Sequence, residues 1–252
     1  MRIYSSAYEL MSEMGRNLYE MGQHVSPKTY QNKVVEGDPD FETKELICEQ
    51  YCLTRMPDPD LLFIYENTRA WADAEFEERV DRDRPNPGKA YLLRKEVWDQ
   101  FLVDGKFDYS YSERINFLTS VNASLGNNLN HVIKELSRNQ DTRQAVLPIY
   151  GLLDVQHIGG NKRVPCSMYY DFLIRENANG EKQLNICYHQ RSSDFVTHFG
   201  NDVYLAWGMM EFVANCLEIN CGYLYHTIDS IHCYAKDWPK LKSSVGEKIM
   251  KG

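Results

Sequence analysis

Residues 164–194, VPCSMYYDFLIRENANGEKQLNICYHQRSSD, decide the fold of this chain. Between Met168 and Tyr188, apolar and polar side chains alternate with a period of two, which is typical of strands that bury one face. Asn179-Gly180 lies near the middle of the stretch, and this pair favours a tight hairpin turn. The stretch therefore predicts an antiparallel hairpin that brings Arg191, just past its end, back to Cys166 at its start.

The segments around this hairpin predict helices and further strands. The spacing of apolar residues indicates an amphipathic helix over 5–21 and a buried, nearly all-apolar helix over 202–217. Residues 145–150 and 222–234 are typical of strands, and we interpret residues 43–54 as a helix. The expected fold is α/β, of the α+β kind: a mixed, largely antiparallel sheet flanked by helices.

Length and composition narrow the class of protein. The 252 residues predict a single domain, 1–252, and the Pro- and Gly-containing segment 81–89 indicates a surface insertion around 56–96. A net charge of −8 argues against a protein that follows a nucleic-acid backbone, but one nucleotide phosphate needs only a few cations. The N-terminal residues do not resemble a signal peptide, and no stretch predicts a membrane span.

The cysteines indicate the compartment. Seven of them, spread along the chain, fit reduced thiols better than a disulfide framework. We therefore expect a cytoplasmic protein, in the host cytoplasm if a phage encodes it. Cys48 and Cys52 are spaced by four, but two thiols alone make a poor zinc site, and we expect no metal.

Cys166 and Arg191 are the first candidates for chemistry. A guanidinium beside a thiol favours the thiolate, which is the nucleophilic form. Two alternatives stay open: Cys166 is a small buried apolar residue, or Arg191 is a planar fork for a phosphate.

These residues, in this order and spacing, resemble the thymidylate synthase family. Its core motifs are matched by Pro165-Cys166, Gln190-Arg191-Ser192-Ser193-Asp194, Asn201-Asp202 and His232-Cys233-Tyr234. Weaker matches lie upstream. Asp141-Thr142-Arg143 resembles the family's phosphate segment, and residues 97–101 resemble its Trp motif. Tyr111 and Glu49 correspond to its active-site Tyr and its helix-borne catalytic Glu.

The resemblance implies a reaction and its participants. Cys166 would add to C6 of a pyrimidine nucleotide, whose C5 would then attack the one-carbon unit of 5,10-methylenetetrahydrofolate. Glu49 would organise water for the proton steps, Tyr111 would assist at C5, and Trp98 would contact the folate. The nucleotide would be held by Arg191, Ser192, Asp194, Asn201, His232 and Tyr234, with Lys28 as a further phosphate ligand or simply a solvated surface lysine. The resemblance also implies a homodimer formed through the sheet, in which Arg143 reaches the neighbouring site.

Asp202 is the departure that identifies the substrate. Synthases carry an Asn here, which both donates to and accepts from a uracil edge, whereas a carboxylate only accepts. A carboxylate matches the 4-amino group of cytosine, as in the phage-type deoxycytidylate hydroxymethylase branch. The expected reaction therefore converts dCMP to 5-hydroxymethyl-dCMP. The alternative is that Asp202 only caps the helix that follows it.

Other departures keep alternatives open. Ser167 stands where synthases usually have His, and the tail 247–252 lacks their apolar closing segment, which suggests a wetter site that favours capture by water. The alternatives are a thymidylate synthase acting on dUMP, a dCMP or CMP methylase or hydroxymethylase variant, a homologue that binds without catalysis, and a cysteine hydrolase with a Cys166–His232 dyad.

Overall fold

A computed structural model describes residues 1–30, 33–117, 127–160 and 162–247 of the chain. The strands are β1 Arg2–Tyr4, β2 Gln23–Val25, β3 Thr29–Tyr30, β4 Lys33–Val34, β5 Thr43–Leu53, β6 Val146–Pro148, β7 Ser167–Glu176, β8 Lys182–Gln190, β9 Ser193–Asp194 and β10 Asn220–Tyr234. The α-helices are α1 Ala7–Met21, α2 Arg69–Val80, α3 Lys95–Trp98, α4 Tyr111–Ile115, α5 Asn128–Arg138, α6 Leu152–Val155, α7 Gly200–Cys216 and α8 Trp238–Glu247.

The central sheet is mixed and has the strand order β1-β5-β10-β8-β7-β6, with β2 against β5 and β9 against β10. Strands β7 and β8 form the predicted antiparallel hairpin, and Gly180 in its turn has a φ of +79°, a conformation that glycine adopts without steric cost. Strand β10 runs antiparallel to β5 and parallel to β8. The predicted fold class is confirmed.

The hydrophobic core lies on one face of this sheet. Alternate residues of β7, β8 and β10 enter it, while their neighbours on the other face stay partly exposed. The predicted helices over 5–21 and 202–217 are confirmed as α1 and α7, which both pack against the sheet. Helix α7 follows directly on a π-helical turn, Phe195–Phe199, so the chain passes from the end of β9 into the core without a loop.

The prediction of a helix over 43–54 is wrong, because these residues form the long strand β5. These residues form a strand because they pair with β10 at ten register positions and with β1 on the other side. No local sequence pattern shows this pairing. Cys48 has a φ of +58°, so the backbone leaves the extended conformation in mid-strand and the alternation of side chains is hidden.

The surface insertion expected around 56–96 stays a prediction, but part of this segment is buried in the structure. Helix α2 buries Trp71 and Ala72 and packs against α7.

In the described part of the chain, no helix is long and apolar enough to cross a bilayer. The final residues, 248–252, whose lack of an apolar closing segment suggested a wetter site, lie outside the described ranges.

Candidate active site

A cavity of about 730 Å³ opens where the β7–β8 hairpin, the end of β10 and helix α2 meet. Most of the predicted site residues line it: Trp98, Tyr111, Cys166, Arg191, Ser192, Asp194, Asp202, His232 and Tyr234. Four predicted residues are not among the residues that line it: Lys28, Glu49, Arg143 and Asn201. The fold thus brings the predicted site residues from Trp98 to Tyr234, apart from Arg143 and Asn201, together around one cavity.

Cys166 and Arg191 meet as the hairpin predicts. The backbone N–H of Arg191 donates to the Cys166 carbonyl at 2.9 Å, and its Nη2 lies 3.7 Å from the Cys166 Sγ. Its Nε donates to the Pro165 carbonyl at 2.9 Å, which fixes the guanidinium beside the thiol. Burial raises the pKa of the Cys166 thiol, while Arg191 acts to lower it. The resting chain therefore holds a thiol, and the thiolate has to form as part of the reaction.

Asp202 lies in the first turn of α7 and faces the cavity. Its Oδ2 accepts a hydrogen bond from the Ser193 hydroxyl at 2.8 Å. Burial raises the pKa of Asp202 to about 6, although the nearby Gln190 amide, the hydrogen bond from Ser193 and the charge of Arg79 oppose this. Because α7 continues from a preceding helical turn and its cap is not made by a side chain, the helix-cap alternative has no support.

A buried chain of neutral groups lies behind Asp202. The Tyr51 hydroxyl is 2.7 Å from His226 Nδ1, and His226 Nε2 is 2.9 Å from Gln190 Oε1. Burial lowers the pKa of His226 to about 3, so this imidazole is neutral. A neutral imidazole that donates from Nε2 to Gln190 accepts from Tyr51 at Nδ1. This row of hydrogen-bonded side chains orients the Gln190 amide without adding a charge. Sequence reasoning missed the row because it depends on the register of the strands.

His232 and Tyr234 extend from the end of β10 into the cavity. Their ring centres lie 5.2 Å apart, and the Tyr30 ring stands edge-on to Tyr234 at 5.6 Å. Burial lowers the pKa of His232 and raises the pKa of Tyr234. Both side chains are therefore neutral hydrogen-bonding groups. Among the described residues Cys166 Sγ contacts Arg191 and forms no hydrogen bond with His232, so the geometry does not favour a hydrolase dyad.

Tyr111 is the first residue of α4, which Ser110 and Glu113 begin with a capping box. The Ser167 hydroxyl lies 3.4 Å from the Tyr111 hydroxyl, which places the phenol beside the start of β7. Burial raises the pKa of Tyr111 well above its usual value, so the phenol is protonated.

Glu49 lies on a strand and not on a helix, because the prediction of a helix over 43–54 is wrong. It lies on β5, where Arg2 Nη1 is 3.9 Å from its Oε2, and it does not line the cavity. Glu75 on α2 lines the cavity instead and receives a hydrogen bond from Arg79 Nε at 3.0 Å. The signal in the sequence was a Glu and an Arg four residues apart on a helix ahead of the Trp98 motif.

The other predicted site residues lie in different surroundings. Asn201 is buried: its Oδ1 accepts from the Thr68 hydroxyl at 2.7 Å, and its Nδ2 donates to the Thr197 carbonyl at 3.2 Å. Lys28 is 78% exposed and pairs with Glu36, outside the cavity lining. Asp194 lines the cavity but also caps the π-helical turn that follows it. Arg143 is exposed and away from the cavity of its own chain.

An aromatic wall closes the other side of the cavity. Trp98 stacks on Trp71 with a centroid distance of 6.1 Å, and its indole Nε1 is buried with no hydrogen-bond partner in the structure described. His198 packs against both rings, and burial lowers its pKa to about 3. The Arg163 guanidinium lies over the Phe101 ring at 4.2 Å. Flat aromatic surfaces with one unused donor suit a planar heterocycle.

Known proteins resemble this chain in sequence and in fold. The sequence profile of a family described as thymidylate synthase matches residues 88–251, more than half of the chain. The deoxyuridylate hydroxymethyltransferase of Bacillus phage SP01 is 32% identical over 149 residues, which cover 55% of this chain and 37% of the phage protein. The chain thus matches little more than a third of that relative's length.

The fold has a solved counterpart. Thermostable thymidylate synthase A from Bacillus subtilis superposes with a TM-score of 0.77, over 95% of this chain and 84% of that one. The two are 14% identical, so the likeness concerns the fold alone.

Proposed function

Because this chain belongs to the thymidylate synthase family, we propose that it transfers a one-carbon unit to C5 of a pyrimidine nucleoside monophosphate, and that it converts dCMP to 5-hydroxymethyl-dCMP. The observation that carries the choice of base is Asp202. Its carboxylate faces the cavity, is held by Ser193, and titrates near pH 6. Such a group accepts from a cytosine 4-amino group and can share a proton with ring N3.

The cavity offers groups for the other parts of the nucleotide. Arg191 and Ser192 supply donors for a phosphate, and the neutral His232 and Tyr234 suit a sugar hydroxyl. These groups lie on the same side as Cys166, so a nucleotide bound by them would present its ring to the thiol.

The aromatic wall fits 5,10-methylenetetrahydrofolate. Trp98, with its unpartnered buried Nε1, and the neighbouring Trp71 and Phe101 would hold the planar ring system. When bound, this group supplies the one-carbon unit.

Individual residues of the protein take part in each step of the proposed reaction. The Cys166 thiolate forms a bond to C6, which makes C5 nucleophilic. Glu75, directly or through water, takes up the proton that leaves C5, and neutral Tyr111 donates a hydrogen bond beside the reacting ring. Asp202 shares a proton with N3 as charge develops in the ring. The one-carbon unit that the folate would supply becomes bonded to C5, and tetrahydrofolate would leave with the electron pair of its bond to that carbon. Water then adds to the same carbon and provides the hydroxyl of the product, and the bond from C6 to sulfur breaks, which releases the Cys166 thiolate.

A second candidate has one specific observation in its favour. The phage relative is named for deoxyuridylate, so dUMP is the alternative substrate. We propose that Asp202 shifts the preference to cytosine in this chain.

Release of tritium from C5 tests the proposal. The wild-type protein, given methylenetetrahydrofolate and [5-³H]dCMP or [5-³H]dUMP, is expected to release tritium to water, and faster from dCMP. No release from either nucleotide would contradict the proposed one-carbon transfer, and faster release from dUMP would favour the second candidate.

Glu75 and Glu49 give a matched pair of variants. Glu75→Gln is expected to lower kcat by about 10²- to 10⁴-fold, because an amide cannot take up a proton. Glu49→Gln is expected to change kcat by less than about threefold, since Glu49 lies outside the cavity lining. Steady-state rates of the two variants check this, and a larger loss in Glu49→Gln would restore Glu49 to the site.

The free face of the sheet supports a homodimer. Tyr169 and Tyr223 lie there and are each 38% exposed, unlike the buried residues that alternate with them. We propose that two chains pack through this face and that Arg143 completes the phosphate site of the partner, because it does not line its own cavity.

Mixing two inactive variants tests this arrangement. Arg143→Ala and Cys166→Ser are each expected to be inactive, but subunit exchange should restore about a quarter of the wild-type sites, since half of the dimers are mixed and each has one complete site. Absence of recovery, with exchange demonstrated by differently tagged chains, would show that each site is built from one chain.

A further inference from the structure

Helix α2 carries a buried arginine, Arg79, in the wall of the cavity, and none of the proposed reaction steps uses it. Its side chain is 4% exposed, and its Nε donates to Glu75 Oε1 at 3.0 Å. Its guanidinium carbon lies 4.0 Å from the centre of the Tyr111 ring. One permanent cation thus contacts both groups that lie nearest the proposed proton transfer.

Neighbouring residues hold Arg79 in this place. The Asn116 amide donates to the Arg79 carbonyl at 2.8 Å, and the Ser112 hydroxyl donates to the Asp81 carbonyl at 3.3 Å. These bonds join α4 to the end of α2. Since the backbone is fixed and the Tyr111 ring covers the guanidinium, the charge cannot move to solvent without breaking this packing.

The surroundings of Arg79 decide what the charge does. The titratable groups that face it or Glu75 come from several elements: Glu75 and Glu78 on α2, Tyr111 on α4, Tyr170 on β7, Tyr188 on β8 and Asp202 on α7. A carboxylate in such a desolvated place takes up a proton unless a cation is close. Burial raises the pKa of Glu75, and Arg79 is the cation that opposes this.

We propose that Arg79 is a positioning residue that holds the Glu75 carboxylate against the cavity and keeps it ionised, so that Glu75 accepts a proton rather than donates one. This inference rests on the proposed function, in which Glu75 takes up the C5 proton. In that step the C5–H bond breaks, its electron pair returns to the ring, and the neutral Glu75 carboxyl carries the proton away. Arg79 keeps its charge throughout and forms no bond to the nucleotide.

Arg94 provides a matched control. It is also 4% exposed in its side chain, pairs with Glu66 at 2.9 Å and lies 5.2 Å from the Trp71 ring, but it does not line the cavity. Removing either arginine therefore breaks a buried ion pair stacked on an aromatic ring. Only Arg79 is joined to a proton-transfer group.

Kinetics and a titration without substrate test the proposal together. Arg79→Met is expected to lower kcat by about 10- to 100-fold near neutral pH and to move the acidic limb of the kcat profile to higher pH, because Glu75 must be ionised and its pKa rises. Arg79→Lys should restore most of kcat, since it keeps the charge, and Arg94→Met should stay within about threefold of wild type.

Carbon-13 NMR of glutamate-labelled free protein follows the Glu75 carboxyl directly, with Glu75→Gln to assign its signal. In folded Arg79→Met the Glu75 midpoint should rise by about one pH unit or more. An unchanged midpoint, or an equal loss of kcat in Arg94→Met, would overturn the proposal. If Arg79→Met does not fold, Arg79→Lys takes its place in the titration. The Glu75 midpoint in Arg79→Lys is expected close to wild type, and a large rise of this midpoint despite the retained charge would overturn the proposal. A raised Glu75 midpoint in Arg79→Met, together with a wild type that releases no tritium, would overturn the proposed function alone.

Discussion

Replacing Cys166 with serine is expected to abolish turnover, with kcat lower by about 10⁴-fold or more, because a hydroxyl is far less nucleophilic than a thiolate near neutral pH. Release of tritium from C5 should disappear as well, since the ring becomes activated only after the bond to C6 forms. The side chain is nearly isosteric, and the hairpin that carries it is held by its own register of backbone bonds. The fold should therefore persist, with unchanged circular dichroism.

Cys221→Ser is the matched control. Cys221 is also partly buried and lies on a strand of the same sheet, but it is not part of the cavity lining. Its variant should keep kcat within about threefold of wild type. Substantial tritium release by folded Cys166→Ser, or an equal loss in Cys221→Ser, would remove Cys166 from the role of nucleophile.

Replacing Asp202 with asparagine is expected to shift the ratio of kcat/KM from dCMP toward dUMP by about 10- to 100-fold for each mismatched hydrogen bond. An asparagine both donates and accepts, so it matches the uracil edge and still accepts from Ser193. It cannot share a proton with cytosine N3. Competition between the two nucleotides, measured with each variant, checks the ratio, and an unchanged ratio would reduce Asp202 to a structural residue.

The same variant has a second readout that needs no substrate. Burial raises the pKa of Asp202 to about 6, so the folded chain binds this proton more tightly than the unfolded chain does. Ionised Asp202 therefore destabilises the fold increasingly as pH rises from about 4 through about 6. Asp202→Asn removes this cost, so the gain in Tm over wild type should be larger at about pH 8 than at about pH 5. Equal gains at both values would show that Asp202 is not buried as described.

The sequence predicts the parts of the site that depend on local pattern. The alternation from Met168 to Tyr188 and the turn at Asn179-Gly180 determine a hairpin, and a hairpin necessarily returns Arg191 to Cys166. The apolar helix that begins near Asp202 is equally local. These features need no knowledge of which other element they contact.

The errors lie where contacts between distant elements decide the structure. Glu49 lies on a strand because β10 and β1 pair with it, and neither partner can be identified from residues 43–54. Glu75 enters the cavity because α2 packs on α7, whereas its local sequence resembles any charged surface helix. The buried chain from Tyr51 through His226 to Gln190 depends on the register of three strands.

The mass of the product formed from dCMP tests the central claim most directly. Wild-type protein is incubated with dCMP and methylenetetrahydrofolate, with dUMP in a parallel reaction, and the nucleotides are analysed by mass spectrometry. Our account predicts that the dCMP product is heavier than its substrate by CH₂O, the increment of a hydroxymethyl group, and that dUMP reacts more slowly. A product heavier by only CH₂, the increment of a methyl group, or reaction with dUMP alone, would contradict it.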